Sequence, residues 1–121
     1  MIDHVTLNVR DVETSKAFYE QALGPLGYEL MSDFPGGCGF GAEGKPDFFL
    51  AQRGEPSAPV HVALRSPDQR TVDAFHEAAL AAGGTDNGPP GLRRVYHDHY
   101  YGAYVLDPDG NNIEAVTHSS E

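Results

Sequence analysis

Asp3-His4-Val5-Thr6-Leu7-Asn8-Val9 opens the chain, and Val60-His61-Val62-Ala63-Leu64-Arg65 returns to it 57 residues later. The correspondence continues beyond these strands. Asp3–Gly27 falls on Val60–Gly84 with 11 of 25 positions identical: His4/His61, Val5/Val62, Leu7/Leu64, Asp11/Asp68, Thr14/Thr71, Ala17/Ala74, Phe18/Phe75, Glu20/Glu77, Ala22/Ala79, Leu23/Leu80 and Gly27/Gly84. Unrelated segments of this length share about one or two. The chain is therefore two copies of one supersecondary unit. Two copies are too few for a solenoid, so they are expected to pack on each other.

Each copy opens on a strand. In Asp3–Val9, Asp3, Val5, Leu7 and Val9 share one face while His4, Thr6 and Asn8 share the other. Val60–Arg65 keeps the phase, so His4 and His61 both point away from the apolar stripe. A helix follows each strand, begun by Asp11 or Asp68, whose carboxylates can accept orphan backbone N–H groups. Gly27 and Gly83-Gly84 stop the helices. Three short strands then complete each copy. In the first they are expected at Tyr28–Asp33, Cys38–Ala42 and Asp47–Gln52. In the second they are expected at Leu92–His97, Gly102–Leu106 and Asn112–Thr117, with Pro89-Pro90-Gly91 and Asp107-Pro108-Asp109-Gly110 as punctuation. The reading is an α+β chain of two β-α-β-β-β modules, about residues 1–56 and 57–121. Helices should cover the Val/Leu faces, and the faces bearing His4 and His61 should line a shared concavity.

Composition narrows the function. The chain has 121 residues, with 8 Lys and Arg against 18 Asp and Glu, for a net charge of −10. That balance argues against a nucleic-acid partner, because phosphate binding needs clustered positive charge. No apolar run approaches the roughly 18 residues of a membrane span, so no membrane partner is expected. Met1-Ile2-Asp3-His4 carries no secretory pattern, and the expected compartment is the cytoplasm. The single cysteine, Cys38, excludes an internal disulfide and reads as a passive thiol.

A lone histidine on a strand is more often structural than a ligand. Two at equivalent repeat positions strengthen the ligand reading, and a carboxylate strengthens it further. Glu114 follows Asp107-Pro108-Asp109-Gly110-Asn111-Asn112-Ile113 on the last strand, where Ile113 and Ala115 take one face and Glu114 and Val116 the other. A carboxylate among such neighbours is costly to bury unless it is paired or ligates a cation. Two imidazoles and one carboxylate suit a divalent metal and leave positions open.

The doubled module, the strand-borne His4 and His61, and the ending Asp-Pro-Asp-Gly-Asn-Asn-Ile-Glu resemble the vicinal oxygen chelate superfamily. It includes glyoxalase I, bleomycin-resistance proteins and type I extradiol dioxygenases, and the resemblance covers nearly the whole chain. It implies two modules forming a half-open barrel around one divalent ion (Fe, Mn, Ni, Co or Zn). The carriers it implies here are His4, His61 and Glu114. It further implies a small-molecule substrate and a homodimer, in which subunits of some members share a site. Glyoxalase I-like sites draw a further carboxylate from the last strand of the first module. Here alignment of that strand puts apolar Phe48 or Leu50 opposite Glu114, with Gln52 on the same face. The dioxygenase branch carries a His and a Tyr before the glutamate, and His97 and Tyr104 match that spacing, with Ala103 in place of a larger apolar residue. His97, His99 and Tyr104 are thus candidates for proton handling or substrate orientation beside Glu114. The bleomycin-resistance branch implies the alternative function, metal-free sequestration of a cationic drug.

Other motifs carry less. Gly39-Phe40-Gly41-Ala42-Glu43-Gly44 matches a dinucleotide fingerprint, but no helix follows it. Arg93-Arg94 can clamp a carboxylate, although solvated charge is the simpler reading. His76 and His118 read as surface residues.

Overall fold

The structure is a computed structural model and describes residues 1–56 and 58–121. The first module runs β1 (Val5–Asn8), α1 (Val12–Ala22), β2 (Glu29–Phe34), β3 (Gly37–Ala42) and β4 (Lys45–Ala51). The second repeats the order with β5 (His61–Arg65), α2 (Gln69–Ala81), β6 (Thr85–Leu92), β7 (Tyr101–Leu106) and β8 (Asn112–Thr117). This is the expected α+β architecture of two β-α-β-β-β units. The boundary expected between residues 56 and 57 meets Ser57, which lies outside the described residues.

The two sheets have matching strand orders, β1-β4-β3-β2 and β5-β8-β7-β6. In each, the last strand inserts beside the first and pairs with it in parallel. That insertion places the glutamate of β8 next to the histidine-bearing β5. The helices start where expected. Asp11 accepts from the Glu13 backbone N–H at 3.2 Å, and Asp68 from that of Thr71 at 2.8 Å. Each cap is worth about 1 kcal/mol. Gln52 supports α1 as well, accepting from the Val12 N–H at 2.9 Å.

The helices pack against each other and bury Val12, Phe18, Tyr19 and Ala22 of α1, and Val72, Phe75 and Ala79 of α2. One continuous core joins them to Leu7, Phe40, Phe48 and Leu50 of the first sheet and to Val105, Ile113 and Ala115 of the second. Burying each Phe or Leu contributes about 1.5–3 kcal/mol, an upper bound set by the extended reference chain. Neither module could supply such a core alone.

A polar clasp also crosses between the modules. Asp107, 5% exposed, accepts from the Tyr19 hydroxyl at 2.5 Å, from the Asn111 N–H at 2.8 Å and from the Asp109 N–H at 2.9 Å. Asp109 in turn accepts from the Arg10 N–H at 3.0 Å. The Asp-Pro-Asp-Gly-Asn turn is thus a structural latch from the second module onto α1 and its approach.

One strand differs from the sequence reading. Thr85–Leu92 forms β6, so Pro89-Pro90-Gly91 lies within a strand, and Leu92–His97 is mostly the loop that follows it. The physical reason is position. β6 is an edge strand with two register shifts, and an edge tolerates prolines that cannot donate to a ladder.

Candidate functional site

Register sets the open face of the second module. β5 places Ala63 beside Glu114, and β7 places Tyr104 opposite Glu114. His61, Ala63 and Arg65 are exposed on this face, while Val62 and Leu64 turn toward the core. The Glu114 carboxylate lies at the bottom of it, 1% exposed. Its Oε1 lies 2.8 Å from Nε2 of His61, whose side chain is 52% exposed. Its Oε2 accepts from the Tyr100 hydroxyl. The buried acid therefore has a partner on each oxygen, which is how its burial is tolerated.

Tyr100 reaches Glu114 because of Gly102. A Cβ at that position would lie 3.2 Å from Glu114 Oε2 and 3.3 Å from the Tyr100 ring. Burial pushes the Tyr100 phenol far above the ordinary tyrosine range, and the bond to Glu114 adds to it. Tyr100 thus keeps its proton and acts as a donor. The Tyr104 phenol is also raised, by burial first and then by the Glu114 charge. Its ring lies 6.1 Å from that of His61, centroid to centroid.

The first module carries the same face with different chemistry. β1 places Thr6 beside Phe49, and Thr6 is the repeat equivalent of Ala63. The counterpart of Glu114 is therefore Phe49, not Phe48 or Leu50, which are buried against the helices. Gln52 is likewise directed to the start of α1 and does not substitute for a ligand. Gly39 is the counterpart of Tyr104, and its missing side chain makes room for the Phe49 ring, 2.6 Å from where a Cβ would stand. His4 meets Phe49 edge-on at 5.4 Å and is held by Asp3 at 2.8 Å.

The structure thus brings together His61, Glu114 and Tyr104, and adds Tyr100, which the sequence reading passed over. Parity along β7 was the available signal, since residues 100, 102 and 104 alternate onto one face. His4 is not joined to them. Among the described residues no three His, Cys, Asp or Glu side chains cluster as a metal site. His97 and His99 fall in the exposed loop after β6. His97 pairs with His118, Nε2 to Nδ1 at 2.7 Å, and both rings meet Tyr100 edge-on. His76 is held by Asp86 at 2.9 Å. Cys38 is fully buried, and burial raises its thiol to about 11, in keeping with a passive role.

A sequence model described as the Glyoxalase/Bleomycin resistance protein/Dioxygenase superfamily matches residues 1–115. The chain belongs to this superfamily. A glyoxalase/bleomycin resistance protein from Albidiferax ferrireducens T118 is 32% identical, covers 97% of this chain and 98% of its own, and superposes with a TM-score of 0.83. A glyoxalase-related enzyme from Fulvimarina pelagi shares the fold at 20% identity, with coverage of 97% and 87% and a TM-score of 0.75. A lactoylglutathione lyase from Agrobacterium tumefaciens does so at 19% identity, with coverage of 97% and 92% and a TM-score of 0.73. No curated protein matches the chain. Among the described residues no helix is long and apolar enough to cross a membrane.

The donor set of the second face fits a divalent metal. Two ligand atoms about 2.1 Å from one ion, at near right angles, stand about 3 Å apart. Nε2 of the exposed His61 and Oε1 of the buried Glu114 already stand 2.8 Å apart. Their imidazole nitrogen and carboxylate oxygen are borderline and hard donors that together suit Fe, Mn, Co, Ni or Zn.

Proposed function

We propose that this superfamily member is a divalent-metal-dependent enzyme of the glyoxalase/dioxygenase type. It acts on a small molecule that chelates the metal through vicinal oxygens. One observation carries the reading: the buried Glu114 carboxylate faces the solvent-open imidazole of His61 at 2.8 Å. An apolar residue would serve the core better, so the acid has a use at the surface it faces. His61 and Glu114 would hold the ion. His4 would complete the set from a second copy of the chain, because among the described residues of one chain it does not cluster with His61 and Glu114. When bound, such an ion polarises chelated oxygens and, if it is iron, activates O₂.

The chain's own groups do the rest. Tyr100 fixes the outer oxygen of Glu114 and so orients the carboxylate, as partners behind metal ligands do elsewhere. Tyr104 sits beside the His61 ring and presents a phenol to whatever the face binds, as a donor. The cytoplasmic location and the homodimer belong to the same proposal.

The test is metal content by mass spectrometry on protein purified without a His tag, alongside H61A. Wild type should retain or take up about one Fe, Mn, Co, Ni or Zn per chain, and H61A should not. No stoichiometric uptake by either, with salt-sensitive binding of an organic cation, would instead favour sequestration. Mixing the H4A and H61A chains tests the shared site. One complete site per mixed dimer should return, whereas a site built within one chain would stay broken. Oxygen uptake with a catechol panel under Fe(II) then separates the dioxygenase branch from the lyase and isomerase branches.

A further inference from the structure

The open face of the second module carries cations that no acid neutralises, in a chain whose net charge is −10. Among the described residues Arg10, Lys16 and Lys45 are paired with carboxylates, whereas Arg53, Arg65, Arg70, Arg93 and Arg94 are in no ion pair, and of these Arg65 and Arg93 lie by this face. Arg65 is exposed on β5, two residues along the same face from Ala63. Arg93 follows β6, and its side chain folds back across that strand. The guanidinium lies over the Tyr104 ring, 5.4 Å from its centroid.

Two glycines make the bed in which it lies. Gly88 stands opposite Tyr104 and Gly91 opposite Gly102, on the same face as Glu114. A Cβ at Gly91 would stand 3.0 Å from Arg93 Nη1. One at Gly88 would stand 3.4 Å from Nη2 and 2.8 Å from the Tyr104 ring. Gly88 has φ +152°, a conformation other residues rarely adopt. One Nη2 hydrogen is spent on the Pro89 carbonyl at 2.7 Å, which holds the group in place. A hydrogen on Nη1 reaches the Leu92 carbonyl at 3.5 Å, and Nε with one N–H on each Nη is left for a ligand. The guanidinium is thus fixed by a ring beneath it and a carbonyl beside it, and it is the only kind of side chain here built to receive a carboxylate with two parallel bonds.

We propose that Arg93, laid over Tyr104 in the Gly88–Gly91 trough, is an anion subsite that receives a carboxylate of the small molecule bound on this face. The proposal deepens the enzyme reading above, and rests on it for the identity of that molecule as substrate. The carboxylate would bind beside Tyr104 while the rest of the molecule extends toward His61, whose ring flanks Tyr104 as well. An acidic chain repels carboxylates almost everywhere else, so the trough also selects where an anionic ligand lands.

The subsite is testable without any metal, because benzoate has a carboxylate but no vicinal oxygens on its ring. Six arginines give six side-chain Nε–H signals in a nitrogen–proton correlation spectrum, and R93M assigns the one of interest. Benzoate should shift the Arg93 signal and the Tyr104 ring signals saturably, and neutral benzamide should not. R93M should weaken benzoate binding by at least about tenfold, and R93K should recover part of it, as for charge-assisted hydrogen bonds. Benzoate that moves no signal, that moves all six arginines alike, or that binds R93M as tightly as wild type would overturn the subsite. Those results leave the metal titration untouched, and a failed metal titration leaves them untouched in turn.

Discussion

On one module a histidine meets a phenylalanine edge-on at 5.4 Å, and on the other its repeat partner meets a glutamate at 2.8 Å. The two faces share a scaffold down to the register. Thr6 and Ala63, Phe49 and Glu114, Gly39 and Tyr104, and Gly37 and Gly102 occupy equivalent places. Even the device of a glycine yielding to an aromatic is kept. The Phe34 ring crowds the position of a Cβ at Gly37, and the Tyr100 ring that at Gly102. What differs is polarity. The first face became an aromatic packing surface that keeps one histidine at its edge, and the second became a carboxylate–imidazole–phenol cluster. Duplication supplied the geometry twice, and substitution at a few positions of one face supplied the chemistry.

The hairpins at the ends of the two sheets diverge in the same way. Between β3 and β4 the turn is only Glu43-Gly44, both at positive φ, the signature of a tight hairpin. Between β7 and β8 it is the longer Asp107 latch that reaches α1. Removing that asymmetry should have the largest effect. D107A strands the buried Tyr19 hydroxyl and two backbone N–H groups, and should lower the unfolding free energy by about 3 kcal/mol in urea titration.

The faces themselves should respond to truncation with opposite sign. F49A removes half-buried ring packing and should cost about 2 kcal/mol. E114L removes a buried acid whose partners, exposed His61 and half-buried Tyr100, can turn to water, so it should leave stability unchanged or raise it by about 1 kcal/mol, while abolishing metal uptake. A marked loss of stability in E114L would mean that the acid is structural, and that the two faces differ less than their chemistry implies. Y100F is milder. It frees one oxygen of Glu114 without removing a ligand, and should weaken metal binding by about tenfold in a competition titration.

The smallest effect appears only in alkali. Tyr19, Tyr28, Tyr100, Tyr101 and Tyr104 are all raised by burial first, Tyr101 to about 12. Their neutral forms are favoured by the fold. That contribution is therefore whole below pH 10, the ordinary tyrosine value, and is lost as pH rises through the folded values. Ultraviolet titration should show these five ionising late, together with unfolding. Five tyrosines ionising near pH 10 in folded protein would contradict the burial described.

Most of the fold was legible in the residues because the repeat doubled every signal. The caps at Asp11 and Asp68 and the faces of β1 and β5 derive from residues at equivalent places, and the family from these together with the single ending Asp107–Glu114. β6 was not legible, because its Pro-Pro-Gly reads as a turn wherever it occurs, and only the edge position of the strand makes it tolerable. At the site, His61 and Glu114 were legible from alternation. The correct partner of Glu114 in the first module was not, since a one-residue choice of register exchanges Phe48 for Phe49 and reverses the face. Tyr100 was hidden in an aromatic stretch of which it is the one member bonded to the acid. His97 and His99 matched a spacing, yet the early end of β6 leaves them in a loop where they serve each other and His118.

The most direct measurement is a calorimetric titration of metal-free protein with Mn(II) or Co(II), run on wild type, E114Q and F49L. The difference between the two faces predicts one ion per chain for wild type and F49L, and binding weaker by more than about 100-fold for E114Q. Equal affinity for E114Q and wild type, or loss of binding in F49L but not in E114Q, would show that the His61–Glu114 face is not the metal centre.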